Sequence, residues 1–122
     1  MNDLAELAIV RDGGVLLASL SGEVDLSNAS DIERTIMDAV PNTASGMLLD
    51  LSDVTYIDSA GVRLLLALAD RFRWRAQELG LVVPEDSRIR RVLTMAGAEG
   101  ALVLDTTTDA ARARMHLPGP AP

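Results

Sequence analysis

Residues 46–72, GMLLDLSDVTYIDSAGVRLLLALADRF, place a short apolar run just before a long helical pattern. The run GMLLDL is apolar on both sides of an extended chain, which is typical of a central strand covered on both faces. The helical pattern extends from near Ser59 to about Arg75. Because helical residues advance by about 100° each, one buried face is predicted, made of Gly61, Leu65, Leu68 and Phe72 with Leu64 and Ala69 beside it.

Short apolar runs alternate with helical patterns along the rest of the chain, which predicts an α/β domain. The turn residues DGG join the first two strands into a hairpin at the edge of the sheet. Ser30 and Glu33 fit a capping box for the first helix, and Gly97 fits a left-handed cap that ends the third. In chain order, strands are predicted at 6–11, 15–20, 46–51, 79–83 and 101–105, and helices at 27–40, 59–75, 87–96 and 109–115.

Composition limits the classes of function. The chain has 122 residues, 48% of them hydrophobic, and only three aromatic residues, so one domain with an aliphatic core is expected. Its net charge of −7 disfavours binding to nucleic acid or to an anionic membrane. Without cysteine there is no disulfide or thiolate, and the only histidine, His116, lies too near the end to complete a Ser-His-Asp triad. The N-terminal sequence MNDLAELAIV lacks a signal-peptide pattern, which favours a cytoplasmic location.

Three strings together resemble a known family: SGEVDLSNA, LLDLSDVTYIDSAGVRLLL and VVPEDSRIRRVLTMAGAEG. They resemble a STAS domain of the anti-sigma factor antagonist type, over about residues 6 to 115. The resemblance implies a mixed sheet of four to five strands with about four helices. The domain is predicted at 1–117, and the proline-rich string LPGPAP predicts a flexible tail at 118–122.

The resemblance also implies a function and a site. In this family the serine of the Asp-Ser-small-Gly motif is phosphorylated by an anti-sigma factor that is also a kinase, and by position that serine is Ser59. The unphosphorylated form would bind the kinase and free a sigma factor, and a phosphatase would reverse the modification. Asp25 would lie near Ser59. The expected partner-binding residues are Asp25, Asp58, Ser59, Ala60, Gly61, Val62, Arg63 and Leu66.

The residues around Ser59 suit this role independently. With Asp58 as the N-cap, Ser59 lies in the first turn of a helix, where a phosphate is compatible with the helix dipole. Val62 and Leu66 fall on a stripe with Ser59 and are predicted to be exposed around it, unless a loop covers them. The structural alternatives are that Ser59 serves only as part of a helix cap, that Gly61 only permits close packing, and that Asp25 only caps the next helix.

Three functional classes remain open. A regulatory switch protein in transcription is preferred, acting as a monomer or weak dimer without cofactor or metal. An adaptor or scaffold module of a transporter or signalling assembly is the alternative, and an enzyme using Asp25, Asp50, Asp53 or Asp58 is disfavoured, because no activated nucleophile or phosphate loop is present.

Some conspicuous residues lie outside these strings or depart from the family pattern. Arg88, Arg90 and Arg91 are expected to form a solvated helix face. Trp74 points away from the predicted core stripe and either covers a loop or marks a contact. The junction RWRAQELG lacks the glycine turn usual in the family, and Ala60 stands where serine or threonine is common, which leaves Ser59 as the one phosphosite of the motif.

Overall fold

A five-stranded mixed sheet forms the centre of the computed structural model, which describes residues 5–115. The strands lie side by side in chain order, β1 antiparallel to β2 and all later neighbours parallel. The α/β class, the mixed sheet, the N-terminal hairpin and the four helices predicted from the sequence are confirmed. The strands are β1 Ala5–Asp12, β2 Val15–Val24, β3 Gly46–Ile57, β4 Glu78–Val82 and β5 Leu104–Asp105, and the helices are α1 Ala29–Ala39, α2 Ser59–Trp74, α3 Arg88–Met95 and α4 Thr108–Arg114.

Side chains of β3 alternate between two apolar layers, as expected for a central strand. Met47, Leu49 and Leu51 belong to the main core, together with the buried faces of α1, α2 and α3. Leu48 faces the other way and packs with Ala111 of α4. The predicted position of β3 between covered faces is therefore confirmed.

The third strand was predicted to end at residue 51, and that prediction is wrong, because β3 continues to Ile57. In the pairing with β2, Ser19 lies opposite Asp50 but Ser21 lies opposite Asp53, so β3 contains an extra residue. A second extra residue follows between Val54 and Tyr56. Such bulges make the buried residues recur every third position instead of every second, which hides the strand from a two-residue period.

Helix ends agree with the sequence at α2 and α3 but not at α1. Helix α1 begins at Ala29 instead of Ser27, its N-cap is Asn28, and no side chain caps it, so the predicted capping box is wrong. Gly97 ends the α3 segment with a φ of 74°, as predicted. Of the predicted last strand, only Leu104–Asp105 pairs with β4.

Arg90 was expected on a solvated face, and the structure corrects this. Its guanidinium donates to the backbone oxygens of Val83 at 2.7 Å and Pro84 at 3.3 Å, so it holds the end of β4 against α3. Arg88 and Arg91 are exposed, as expected. His116 and the predicted boundary between 117 and 118 lie outside the described residues. Within residues 5–115, no helix is both long and apolar enough to cross a membrane.

Candidate functional site

The candidate site lies where the parallel strands β2 and β3 end side by side. Val24 pairs with Ile57, so the residues that follow each strand emerge at the same edge of the sheet. After β2 comes the loop Asp25–Asn28, and after β3 comes Asp58, which directly precedes α2. The sequence-predicted neighbourhood of the Asp25 loop and the Asp58–Ser59 turn is thus present in the fold.

Asp58 connects these two segments through its carboxylate. Its Oδ1 accepts hydrogen bonds from the backbone N–H groups of Ala60 at 2.9 Å and Gly61 at 3.0 Å, which caps α2 as predicted. Its Oδ2 accepts from the N–H of Leu26 at 3.2 Å. One side chain therefore satisfies two free N–H groups of the helix and tethers the neighbouring loop.

The loop is also held from within. Asp25 Oδ1 accepts from the backbone N–H of Ser27 at 2.9 Å, which forms a local Asx turn. Asn28, only 1% exposed, donates from Nδ2 to the oxygen of Glu23 and accepts at Oδ1 from the N–H of Asp25, each at 2.9 Å. Asp25 thus shapes the loop, and its side chain does not cap α1.

Ser59 is exposed at the first position of α2. Its hydroxyl makes no hydrogen bond to any residue from 5 to 115, so neither Asp25 nor Asp58 orients it in this structure. The hydroxyl is consequently open to an approaching protein, on a backbone that Asp58 fixes independently. The Ser59 hydroxyl is thus separate from the groups that hold the fold.

The residues after Ser59 differ in their access to solvent. Ala60, Gly61 and Val62 are buried, and a Cβ added to Gly61 would overlap Ile57 and come within 3.1 Å of Val24 Cγ1. The expected exposure of Val62 is therefore wrong, and Leu66 is only partly exposed because it packs against the core. Of the predicted partner-binding residues beyond Ser59, Arg63 alone is exposed on α2.

A shallow groove of about 220 Å³ runs between α1 and α2 beside Ser59. The groove exists because several of its lining residues have small side chains, among them Ala29, Ala60 and Ala67. Leu26 also lines the groove, and 77% of its surface is exposed to solvent. Sequence reasoning missed Leu26 and Asn28. The signal available was the loop DLSNA, in which an apolar residue directly after Asp25 has no place in the core pattern.

Charges around the groove have both signs. Glu33 and Arg63 line the groove. The carboxylates of Asp25 and Asp58 accept hydrogen bonds from backbone N–H groups. Arg63 is exposed and makes no ion pair with any described residue, four positions after Ser59 on the helix. Because residues at that spacing are neighbours on a helix surface, Arg63 lies within reach of whatever approaches Ser59.

Comparison with known proteins agrees with this geometry. The STAS domain family matches residues 6–111. The anti-sigma-F factor antagonist RsfB of Mycobacterium tuberculosis is 28% identical over 105 residues, which cover 86% of this chain and 84% of that protein. BtrV of Bordetella bronchiseptica, named as a candidate anti-sigma factor antagonist, is 30% identical over 108 residues, which cover 88% of this chain and 92% of that one.

A solved structure shows the same fold along nearly the whole chain. The crystal structure of an anti-sigma factor antagonist from Mycobacterium paratuberculosis superposes with a TM-score of 0.79 at 25% identity, covering 92% of this chain and 94% of that one. With its sheet order, its Asp-Ser turn at the start of α2 and this extent of similarity, the chain belongs to the STAS domain family.

Proposed function

We propose that this protein is an anti-sigma factor antagonist that works by partner switching. In its unphosphorylated form it binds an anti-sigma factor that is also a serine kinase, and thereby frees a sigma factor in the cytoplasm. Phosphorylation of Ser59 by that kinase ends the complex, and a phosphatase restores the binding form. The relatives named anti-sigma factor antagonists support the general role.

The observation that carries the proposal is the exposed, unpartnered hydroxyl of Ser59 on a turn that Asp58 caps. A serine that served only as part of the cap would use its hydroxyl to accept an N–H of the helix, and here Asp58 accepts those of Ala60 and Gly61. Removal or modification of the Ser59 hydroxyl therefore leaves the helix start intact. This arrangement suits a modification that changes binding without unfolding the domain.

A phosphate on Ser59 would place about −1.5 to −2 charges at the centre of this surface. The N–H groups of Ala60, Gly61 and Val62 are not free to bind it, because Ala60 and Gly61 donate to the Asp58 side chain and Val62 donates to the Asp58 backbone oxygen. The added charge thus remains on the surface, near the carboxylates of Asp25 and Asp58 and within reach of the exposed guanidinium of Arg63. A partner that presents an acidic or apolar patch there is repelled.

The test compares wild type, Ser59→Ala and Ser59→Asp. The kinase partner is first isolated by co-purification from the protein's own host, and intact-mass analysis of the wild-type protein locates any phosphate. With ATP, Ser59→Ala should remain unmodified and bound, while Ser59→Asp should bind more weakly, by about tenfold or more, since its charge resembles that of a phosphate in part. Ser19→Ala, which changes an exposed serine of β2, is the matched control and should behave as wild type.

Two outcomes would contradict the proposal. If all three proteins bind the kinase with the same affinity, Ser59 does not control the interaction. If the Ser59→Ala protein is phosphorylated as fast as wild type, the acceptor is another residue. Co-purification with a membrane transporter and no kinase would instead support the adaptor function.

A further inference from the structure

Arg63 lies between the exposed face of Ser59 and the groove beside it. It follows Ser59 by four positions on α2, an advance of about 400°, so the two residues lie about 40° apart on adjacent turns of the helix. Arg63 also lines the groove between α1 and α2. Because helical side chains lean toward the N-terminus, its guanidinium can extend over the turn that carries Ser59 or across the groove.

The neighbours of Arg63 on α2 leave its charge unpaired. Its side chain is exposed and makes no hydrogen bond or ion pair with any described residue. The residues three and four positions away on the helix are Ser59, Ala60, Leu66 and Ala67, and Ser59 is the only polar one among them. The helix itself therefore offers Arg63 no carboxylate.

The acidic groups of the adjoining segments are bonded to other partners. Glu33, the one carboxylate among the described residues that line the groove, pairs with Arg71 at 3.0 Å. At the Ser59 end, the carboxylates of Asp25 and Asp58 accept backbone N–H groups of the loop after β2 and of α2. Within the described chain, Arg63 is thus an unpaired cation on a protein of net charge −7.

We infer that Arg63 links the modification of Ser59 to partner binding, because it pairs with a different group in each state. In the unmodified protein its guanidinium pairs with a carboxylate on the docking surface of the partner, since Arg63 is the one cation among the described residues that line the groove. In the modified protein the phosphate on Ser59 captures the same guanidinium within α2. The inference rests on the proposed function and explains how phosphorylation would end the complex.

Helix geometry favours the capture of Arg63 by a phosphate on Ser59. An acidic group four positions before a basic group is the more favourable order of such a pair on a helix. Arginine also presents two parallel N–H donors that match the oxygens of a phosphate. The captured pair keeps a net charge of about −0.5 to −1, so the carboxylate of the partner loses a cation and meets an anion.

Capture is tested without the kinase, on protein that carries genetically incorporated phosphoserine at position 59. ³¹P NMR measures the pKa of the phosphate, and the Nε–H resonance of Arg63 reports on its guanidinium. Arg63→Gln should raise the phosphate pKa, because the dianion loses its cation while the carboxylates of Asp25, Asp58 and Glu33 remain nearby.

Variants of similar exposure and charge serve as the controls for capture. Arg63→Lys keeps the charge without the two parallel donors, so its phosphate pKa should lie between those of wild type and Arg63→Gln. Arg91→Gln, at an exposed arginine of α3, should leave the phosphate pKa as in wild type. In the wild-type chain, phosphoserine at position 59 should shift the Nε–H resonance of Arg63 and not that of Arg91.

The effect on the partner is measured as the ratio of kinase affinities between the unmodified and the phosphoserine protein, in titrations without ATP. We expect Arg63→Gln to weaken binding of the unmodified protein by about threefold or more and to lower the ratio by about threefold or more, because it removes the group that changes partner. Arg91→Gln should change neither quantity. Melting temperatures of both variants should equal that of wild type, since both arginines are exposed.

The two measurements separate this inference from the proposed function. A phosphate pKa that is the same in Arg63→Gln as in wild type would mean that no capture occurs, and the inference is then overturned whatever the kinase does. An affinity ratio as large in Arg63→Gln as in wild type would also overturn the inference, while phosphorylation would still control binding. Equal affinity of the two wild-type forms would refute the proposed function, and the inference would fail with it.

Discussion

Asp58 is the residue on which the geometry of the candidate site depends. Its two carboxylate oxygens bind backbone N–H groups from two separate segments, the first turn of α2 and the loop after β2. The loop carries the exposed Leu26 and the helix carries Ser59, so Asp58 sets the position of one relative to the other. Loss of this side chain should therefore affect both stability and binding.

We expect Asp58→Ala to lower the free energy of unfolding by about 1–2 kcal/mol, the usual cost of losing an N-cap. Chemical denaturation measures this change. Asp53→Ala is the matched control, because Asp53 is an exposed aspartate of β3, and its effect should stay within about 0.5 kcal/mol. Equal losses in the two variants would show that the carboxylate of Asp58 does not stabilise the helix start.

For single residues, the sequence predicts those roles that depend only on the adjacent residues along the chain. Asp58 as a cap and Ser59 in the first turn follow from the local string and are seen in the structure. The string DLSNA marks Leu26 as an apolar residue outside the core pattern. The roles of Leu26 and Asn28 could not be predicted, since they depend on a hydrogen bond from Leu26 to a residue 32 positions away and on a tightly packed loop. The physical roles of Asp25 and Ser59 toward a partner stay predictions.

The turn that follows helix α2 contains Ala76, an alanine in the left-handed position where the family usually has a glycine. Ala76 has a φ of 54°, and its N–H donates to the oxygen of Arg73 while the N–H of Gln77 donates to that of Phe72. This pair of hydrogen bonds is a Schellman motif, in which the left-handed position favours glycine. An alanine there is strained by contacts of its Cβ.

Ala76→Gly should therefore stabilise the protein by about 0.5–1 kcal/mol, since relief of the strain exceeds the added freedom of glycine in the unfolded chain. Thermal and chemical denaturation both report this change. The control is Ala113→Gly, at an exposed alanine inside α4, which should destabilise by about 0.5–1 kcal/mol. A loss of stability in Ala76→Gly would mean that the left-handed position carries no strain.

Helices and strands were predicted well in segments where the apolar residues keep one period, 3.6 residues for a helix or two for a strand. Helix α2 and the first half of β3 satisfy this condition, and their core residues Leu65, Leu68 and Met47 are buried. Val62 was predicted to be exposed because a single buried stripe was assumed for α2, as for a helix that packs on one surface. The first turn of α2 instead buries three consecutive residues, Val62 among them. Helix α2 packs against β3, β4 and α1 together, which widens its buried arc.

Across the whole molecule, the net charge of −7 is distributed so that the two ends of α2 differ. Asp25 and Asp58 stand at the Ser59 end, whereas Arg71 and Arg73 stand near the Trp74 end, where Arg71 pairs with Glu33 of α1 at 3.0 Å. Composition reveals the total charge but not this separation, because the separation depends on the direction in which α2 crosses the sheet. The Ser59 end of α2 therefore carries more negative charge than the Trp74 end, even with Arg63 exposed there.

The fold also determines which apolar residue can anchor a partner at the Ser59 end. Leu66 was expected to be that residue, but it packs against the core, so Leu66→Asp should cost stability as well as binding. Leu26 is 77% exposed, so Leu26→Ser should leave the melting temperature nearly unchanged and weaken binding of the co-purified kinase by about tenfold or more, since interface anchors commonly contribute over 1 kcal/mol. Val10→Ser, at a 60% exposed valine on the edge strand β1, should change neither quantity. Calorimetric titration of the three variants checks this, and unchanged kinase affinity in Leu26→Ser would mean that the partner does not contact the loop that Asp58 holds.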